Sequence, residues 1–330
     1  MELAAAVCQA GGLGCLAAAY NSVETVSEHI RKLRTMTDQP FAVNVFAPGS
    51  NQPLSGDVAA QLEFLGGIYR ELGVDPPTLP ERASDPFEQY LDLLVSERVP
   101  IVSFTFGILP PEAIKRLHGH DAYLIGTATS VEEAKLLEDG GIDAVIAQGA
   151  EAGGHRGTFA HSDPTLVGTI ALVPQIHEAV RIPVIASGGI MDGRGVVAAL
   201  ALGASAVQMG TAFLTTKESG APAGYKAAVL QASENSTALT RAFSGRWARG
   251  IRNRFMREAE HSSAAPLSFP WQNALTTGMR KRAAQLGNPD FLSLWAGQGT
   301  TMARDISAAD LVRRLEDEIR QAAQSVADLS

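Results

Sequence analysis

DAVIAQGAEAGGHRGTF, residues 143–159, is the stretch from which the fold can be read outward. Residues 143–147 (DAVIA) form a short apolar run of the kind that makes a buried strand. The run ends at Gln148 and opens into a loop in which Gly149, Gly153, Gly154 and Gly157 surround Glu151, His155 and Arg156. Glycines let a backbone approach a ligand closely, and His155 brings a group that titrates near neutrality to that place. A strand opening into such a loop reads as a site rather than a turn.

Working outward, the same unit recurs. Residues 13–18, 41–47 (FAVNVFA), 101–107 (IVSFTFG), 122–129 (AYLIGTAT), 182–189 (IPVIASGG) and 206–214 (AVQMGTAFL) are further strand candidates. Helical patterns separate them over 22–35, 87–97, 111–118, 131–139, 166–180 and 193–202, with a polar, proline-containing region at 48–86. Strands alternating with amphipathic helices predict a parallel sheet. The count is seven, whereas a (β/α)8 barrel closes with eight and doubly wound sheets hold about six. The expectation is a TIM-type α/β barrel lacking its first strand, which would lie upstream because the chain begins in a helical, alanine-rich segment. The barrel is expected over 1–214, a helical lid over 215–303 where the rhythm breaks, and a closing helix over 304–330 carrying LVRRLEDEIR.

The composition excludes several classes. With 330 residues, 45% hydrophobic and 19% charged, the chain can bury a large core. A net charge of −8 with interspersed signs argues against a nucleic-acid partner. The two cysteines, Cys8 and Cys15, read as reduced small hydrophobes and not as a disulfide framework or zinc site. No apolar run approaches the roughly 20 residues of a membrane span, and no basic segment opens a signal peptide. The expected location is the cytoplasm.

In a parallel barrel the C-terminal strand ends converge on one face. Asn44, Gly107, Thr127, Gln148, Gly188, Gly189, Gly210 and Thr211 stand at such ends. ASGGI (186–190) and QMGTAF (208–213) end the last two strands, where exposed N–H groups suit a phosphate. His155 is the candidate for acid–base work. Glu151 and Arg156 can equally pair with each other at the surface. GGLGCLA (11–17) imitates a dinucleotide fingerprint, but a helix precedes it and no ribose-binding acid follows. His118, His120 and Asp121 fall in a connection on the opposite side of the sheet. Nucleophile elbows, Walker loops and HExxH motifs are lacking, so the parts suit a phosphorylated cofactor that carries the chemistry itself.

At these residues the chain resembles the nitronate monooxygenases, FMN-dependent barrels. The resemblance rests on AGGLG (10–14), TDQPFAVNVF (37–46), SFTFG (103–107), QGAEAGGHRG (148–157), PVIASGGIMDGRG (183–195) and QMGTAFL (208–214). RAFSGRWARGIRN (241–253) and GNPDFLSLWAGQG (287–299) extend it into the C-terminal part. It implies that Asn44 and Gln148 hydrogen-bond the flavin ring and that Gly153 passes close to the cofactor. Gly188, Gly189 and the run Gln208, Met209, Gly210 and Thr211 would hold the FMN phosphate and ribityl chain. His155 would bind or deprotonate the substrate, with no metal involved. The implied reaction is oxidation of a small nitronate, such as propionate 3-nitronate, with O2 to a carbonyl product and nitrite, by a monomer or homodimer. Members of the family begin with a strand of the type PIIQAPM, which has no counterpart here, and weak FMN retention is the corresponding expectation. The alternatives are an FMN-dependent enoyl-acyl-carrier-protein reductase and an inactive barrel.

Overall fold

A computed structural model describes residues 1–82 and 86–328. Helix α1 (Glu2–Gln9) precedes β1 (Cys15–Ala17), and α2 (Val23–Met36) leads to β2 (Ala42–Phe46). Helices α3 (Val58–Glu71) and α4 (Phe87–Ser96) come before β3 (Ile101–Thr105). The chain then runs through α5 (Pro111–His118), β4 (Tyr123–Ala128), α6 (Val131–Asp139), β5 (Ala144–Gln148), β6 (Gly154–His155), α7 (Thr169–Ala179), β7 (Val184–Ser187), α8 (Gly193–Ala201) and β8 (Ala206–Gln208). It continues with α9 (Thr211–Leu214), α10 (Ala223–Leu230), β9 (Thr237–Thr240), β10 (Ala248–Ile251), α11 (Arg254–His261), α12 (Trp271–Gln285) and α13 (Ala308–Ala327).

Seven strands form one parallel sheet in the order β1-β2-β3-β4-β5-β7-β8. These are the seven expected strands in the expected sequence. Alternation along them explains the curl. Val43, Val45, Val102, Phe104, Leu124, Val145 and Val184 point outward into the core shared with the helices. Ile125 and Ile146, with Ile101 and Ile185 against them, meet on the inner side. Residues from four strands can meet there only if the sheet bends toward itself. Among the described residues β1 and β8 do not pair, so the barrel is open along one flank. Helix α13 packs on both α8 and α1, linking the two ends of the sheet from outside.

A second hydrophobic core lies beyond the barrel and is built around Phe243, Phe255, Leu275, Met279 and Phe291. Residues 215–303 supply helices, as expected, but also β9 and β10, which form an antiparallel sheet with β6. The polar stretch 48–86 holds a helix, α3, whose Leu65, Ile68, Tyr69 and Leu72 join this core. Its apolar face packs on α12, where Tyr69 Oη donates to Leu275 O 206 positions away, and Phe64 stacks on Phe255 of α11.

Candidate active site

The C-terminal ends of β5, β7 and β8 surround a cavity of about 410 Å³. Gln148, Gly153, Gly188, Gly189, Gln208, Met209, Gly210 and Thr211 all line it, so the structure brings together every expected cofactor residue except Asn44. Asn44 stands inside the curl of the sheet, where its Nδ2 donates to Ser103 Oγ at 2.9 Å. The cavity also takes Ala152, Met191, Tyr225, Trp295, Gly297 and Gly299, residues not assigned to the site from the sequence. Trp295 and Gly297 arrive because segment 294–297 adds to β10. Ile251 N donates to Leu294 O at 2.8 Å and Ala296 N to Arg249 O at 3.3 Å. That register was visible only as a sequence resemblance, since the pairing is tertiary.

The glycines have separate physical reasons. Gly188 and Gly189 have φ of 116° and 73°, which side chains rarely adopt. A Cβ on Gly153 would stand 2.5 Å from both Ala296 C and Gly297 N, so this glycine is needed for the approach of segment 295–299. A Cβ on Gly210 would meet nothing within 4 Å and would project into open space. Among the described residues, the N–H groups of Gly189, Gly210 and Thr211 have no protein acceptor. Gly189 and Gly210 are exposed at the cavity and Thr211 is half-buried, so these N–H groups are open to an anionic or carbonyl partner.

The loop itself is held by charge. Arg156 is buried and donates to the carbonyls of Gly149 (2.6 Å), Gln148 (2.9 Å) and Thr165 (3.3 Å). Arg249 Nε donates to Ala150 O at 3.1 Å. Burial lowers the Arg156 guanidinium to about 10, still charged at neutral pH. Glu151 does not pair with Arg156 at the surface; its carboxylate accepts from Thr169 N and from Thr169 Oγ1 at 2.8 Å. Gln148 closes the loop at both ends, donating to His155 O (3.0 Å) and accepting from Gly157 N (2.8 Å). Of the opposite-side residues, His118 forms a contact of 3.0 Å with Asp143 in the connection before β4.

His155 lies in β6 paired to Ala248 of β10, with Nε2 2.8 Å from Ser244 Oγ. Its ring packs edge-on against Phe106 (5.9 Å) and Trp295 (5.3 Å). Burial, with the Arg246 and Arg280 guanidiniums adding repulsion, drives its pKa down to about 3. His155 is therefore neutral at physiological pH. Arg246 lies over the Phe106 ring at 4.1 Å and near Phe269 at 5.4 Å, while Nη2 donates to Ser50 O at 2.6 Å. Its Nε is buried without a partner. Among the described residues, no three His, Cys, Asp or Glu side chains are grouped to hold a metal ion, and no helix is long and apolar enough to cross a membrane.

The profile of the nitronate monooxygenase family matches residues 1–318. The chain belongs to the nitronate monooxygenase family. It is 41% identical over 325 residues to a probable nitronate monooxygenase of Staphylococcus aureus strain Newman, covering 98% of this chain and 92% of that protein. A counterpart from Staphylococcus saprophyticus is 43% identical over 324 residues, covering 97% and 90%. Among solved structures, the nitroalkane oxidase of Streptomyces ansochromogenes superposes with a TM-score of 0.90 at 43% identity, covering 98% of this chain and 93% of that one. FabK from Thermotoga maritima follows at 0.78 and 30% identity, covering 100% and 91%. Membership of the nitronate monooxygenase family makes this chain an oxidoreductase with a TIM-barrel-like fold.

Proposed function

We infer that this oxidoreductase binds FMN and oxidises alkyl nitronates with O2 to a carbonyl compound and nitrite. The observation that carries the reading is a juxtaposition. A glycine-lined cavity with unpartnered N–H groups at Gly189, Gly210 and Thr211 lies beside a neutral histidine and a half-buried arginine, Arg246, that no carboxylate neutralises. These residues fit FMN: the three N–H groups and Gly188 would take the phosphate, with Gln208 and Met209 along the ribityl chain. The second N–H of the Gln148 amide and the Asn44 amide would face the ring. Bound there, FMN supplies the one-electron chemistry that nitronate oxidation requires.

The chain's own residues do the rest. A nitronate is already an anion, so no strong base is needed to make its carbon electron-rich. Neutral His155, oriented by Ser244, can accept a hydrogen bond or a proton at the ring nitrogen that faces the substrate, while Arg246 supplies the counter-charge. Phe106, Phe269 and Trp295 exclude water, which strengthens that attraction. Two free thiols, Cys8 and Cys15, suit a cytoplasmic location.

The test is oxygen uptake and nitrite release by the FMN-supplied protein with ethyl nitronate. Release of nitrite in step with oxygen uptake is expected. Rapid anaerobic bleaching of the flavin by NADH, with no nitrite from any nitronate, would transfer the protein to the reductase reading.

A further inference from the structure

A second cavity of about 440 Å³, sharing no lining residue with the first, is unused by the chemistry above. Six aromatic side chains, Tyr20, Phe46, Phe87, Tyr90, Phe269 and Trp271, make up much of its wall, with asparagines and serines between them. The charged residue in its lining, Arg82, stands at the exposed rim. The two cavities are joined by a continuous run of rings. Tyr20 meets Phe46 at 5.5 Å, Phe46 meets Phe106 at 4.7 Å, Phe106 meets His155 at 5.9 Å, and His155 meets Trp295, which lines the first cavity. Arg246 sits at the junction, over Phe106 and Phe269 and hydrogen-bonded to the carbonyl of Ser50. Among the described residues no carboxylate pairs with it, and its buried Nε has no acceptor. Tyr20 and Phe106, the first and third rings of the run, both have left-handed backbones, with φ of 70° and 75°. Bulky residues hold that conformation only where surrounding packing enforces it, and such strain gathers at ligand sites.

The geometry points to a two-part substrate: an anionic head held by Arg246 beside His155, and an unbranched alkyl or aryl tail of about four carbons or more lying in the aromatic cavity. The inference rests on the nitronate reading for the identity of the head. A cation without a carboxylate partner, held against two residues of the cavity wall, Phe269 and Ser50, complements an amphipathic anion. A compact dianion such as a short carboxy-nitronate would place its second charge among the rings.

The experiment uses the full chain supplied with FMN and a series of linear nitronates from ethyl to hexyl. The kcat/KM is expected to rise by about fourfold per methylene, the gain for moving one CH2 out of water. Trp271→Ala, which removes a wall, and Ala274→Phe, which fills the cavity, are each expected to flatten that slope. Arg246→Met is expected to raise KM for every member while leaving the slope, and Arg246→Lys to recover part of the loss. A flat slope in the unaltered protein, a slope that survives both cavity variants, or preference for propionate 3-nitronate over hexyl nitronate would overturn the inference. Calorimetric binding of hexanoate against acetate separates this inference from the reaction assigned above. If no nitronate is oxidised but hexanoate binds at least about tenfold tighter, and loses this in Trp271→Ala and Arg246→Met, the slot stands and the nitronate assignment falls. Equal affinities overturn the slot.

Discussion

His155 is a neutral imidazole because it is buried, with the Arg246 and Arg280 guanidiniums adding repulsion. Its Nε2 is occupied by Ser244 Oγ at 2.8 Å, which fixes the ring. With a pKa near 3, the group does not titrate across the working range. The kcat/KM for a fully ionised nitronate should therefore be level between about pH 5 and 8 as far as His155 is concerned. Arg246→Met removes one repulsive charge, so the His155 pKa moves upward and an acid-side limb should appear at higher pH than before; an unaltered profile would count against the coupling. The sign for stability follows from the same shift. Below the ordinary histidine value of about 6.5 the unfolded chain takes up a proton that the folded chain refuses until about pH 3, so stability falls as pH drops through that window. His155→Asn should lose less melting temperature between pH 6.5 and 4 than the unaltered protein, as scanning calorimetry would show.

At the scale of elements, the loop after β5 is one part of a three-segment clasp. Residues 148–157, β10 and segment 294–299 hold one another, with Gln298 N donating to Glu151 O at 3.0 Å and Gly297 N to Thr211 Oγ1 at 2.9 Å. Two glycines separate folding from binding here. Gly153→Ala places a methyl 2.5 Å from backbone atoms of Ala296 and Gly297 and should destabilise the protein by roughly 1–3 kcal/mol, read as a lower urea midpoint. Gly210, at φ −99° with open space around it, should accept alanine with a stability change within about 0.5 kcal/mol while FMN affinity drops. Equal behaviour of the two variants would refute this division of labour. The contrast also marks how far the chain could be read unaided. The βα rhythm, the strand ends and the glycine pairs are local signals, and they located the barrel and the glycine-lined cavity at its strand ends. Ser244, Arg246 and Trp295 gave no such signal, because each reaches His155 only through the pairing of β6 with β10. The helix in 48–86 was hidden likewise, its apolar face having meaning only against the distant second core that includes α11 and α12.

For the whole molecule, the decisive feature is the unjoined flank between β1 and β8. Strand edges left open expose inward-facing side chains, and Cys15 is one of them: it is exposed along the edge and lies 3.9 Å from Ser103 Oγ inside the curl. Crowding within the curl nevertheless pushes its thiol up to about 11, so its reaction should be slow at neutral pH and accelerate steeply with alkalinity. Cys8 lies on the buried face of α1 and should stay unlabelled in the folded state. What holds the flank is helical. Helix α13 spans α8 and α1, and Glu318 ties it down by accepting from Gly193 N (3.1 Å), Arg304 (2.8 Å) and Arg314 (2.9 Å). The approach is so close that a Cβ on Gly193 would stand 2.4 Å from the Glu318 carbonyl carbon and the Ile319 nitrogen. Gly193→Val must therefore lift α13 and loosen the strap across the opening. Alkylation of Cys15 at pH 9, followed by mass spectrometry, should run several-fold faster in that variant while Cys8 remains protected; equal rates would mean that the sheet edges, and not α13, govern access to the interior.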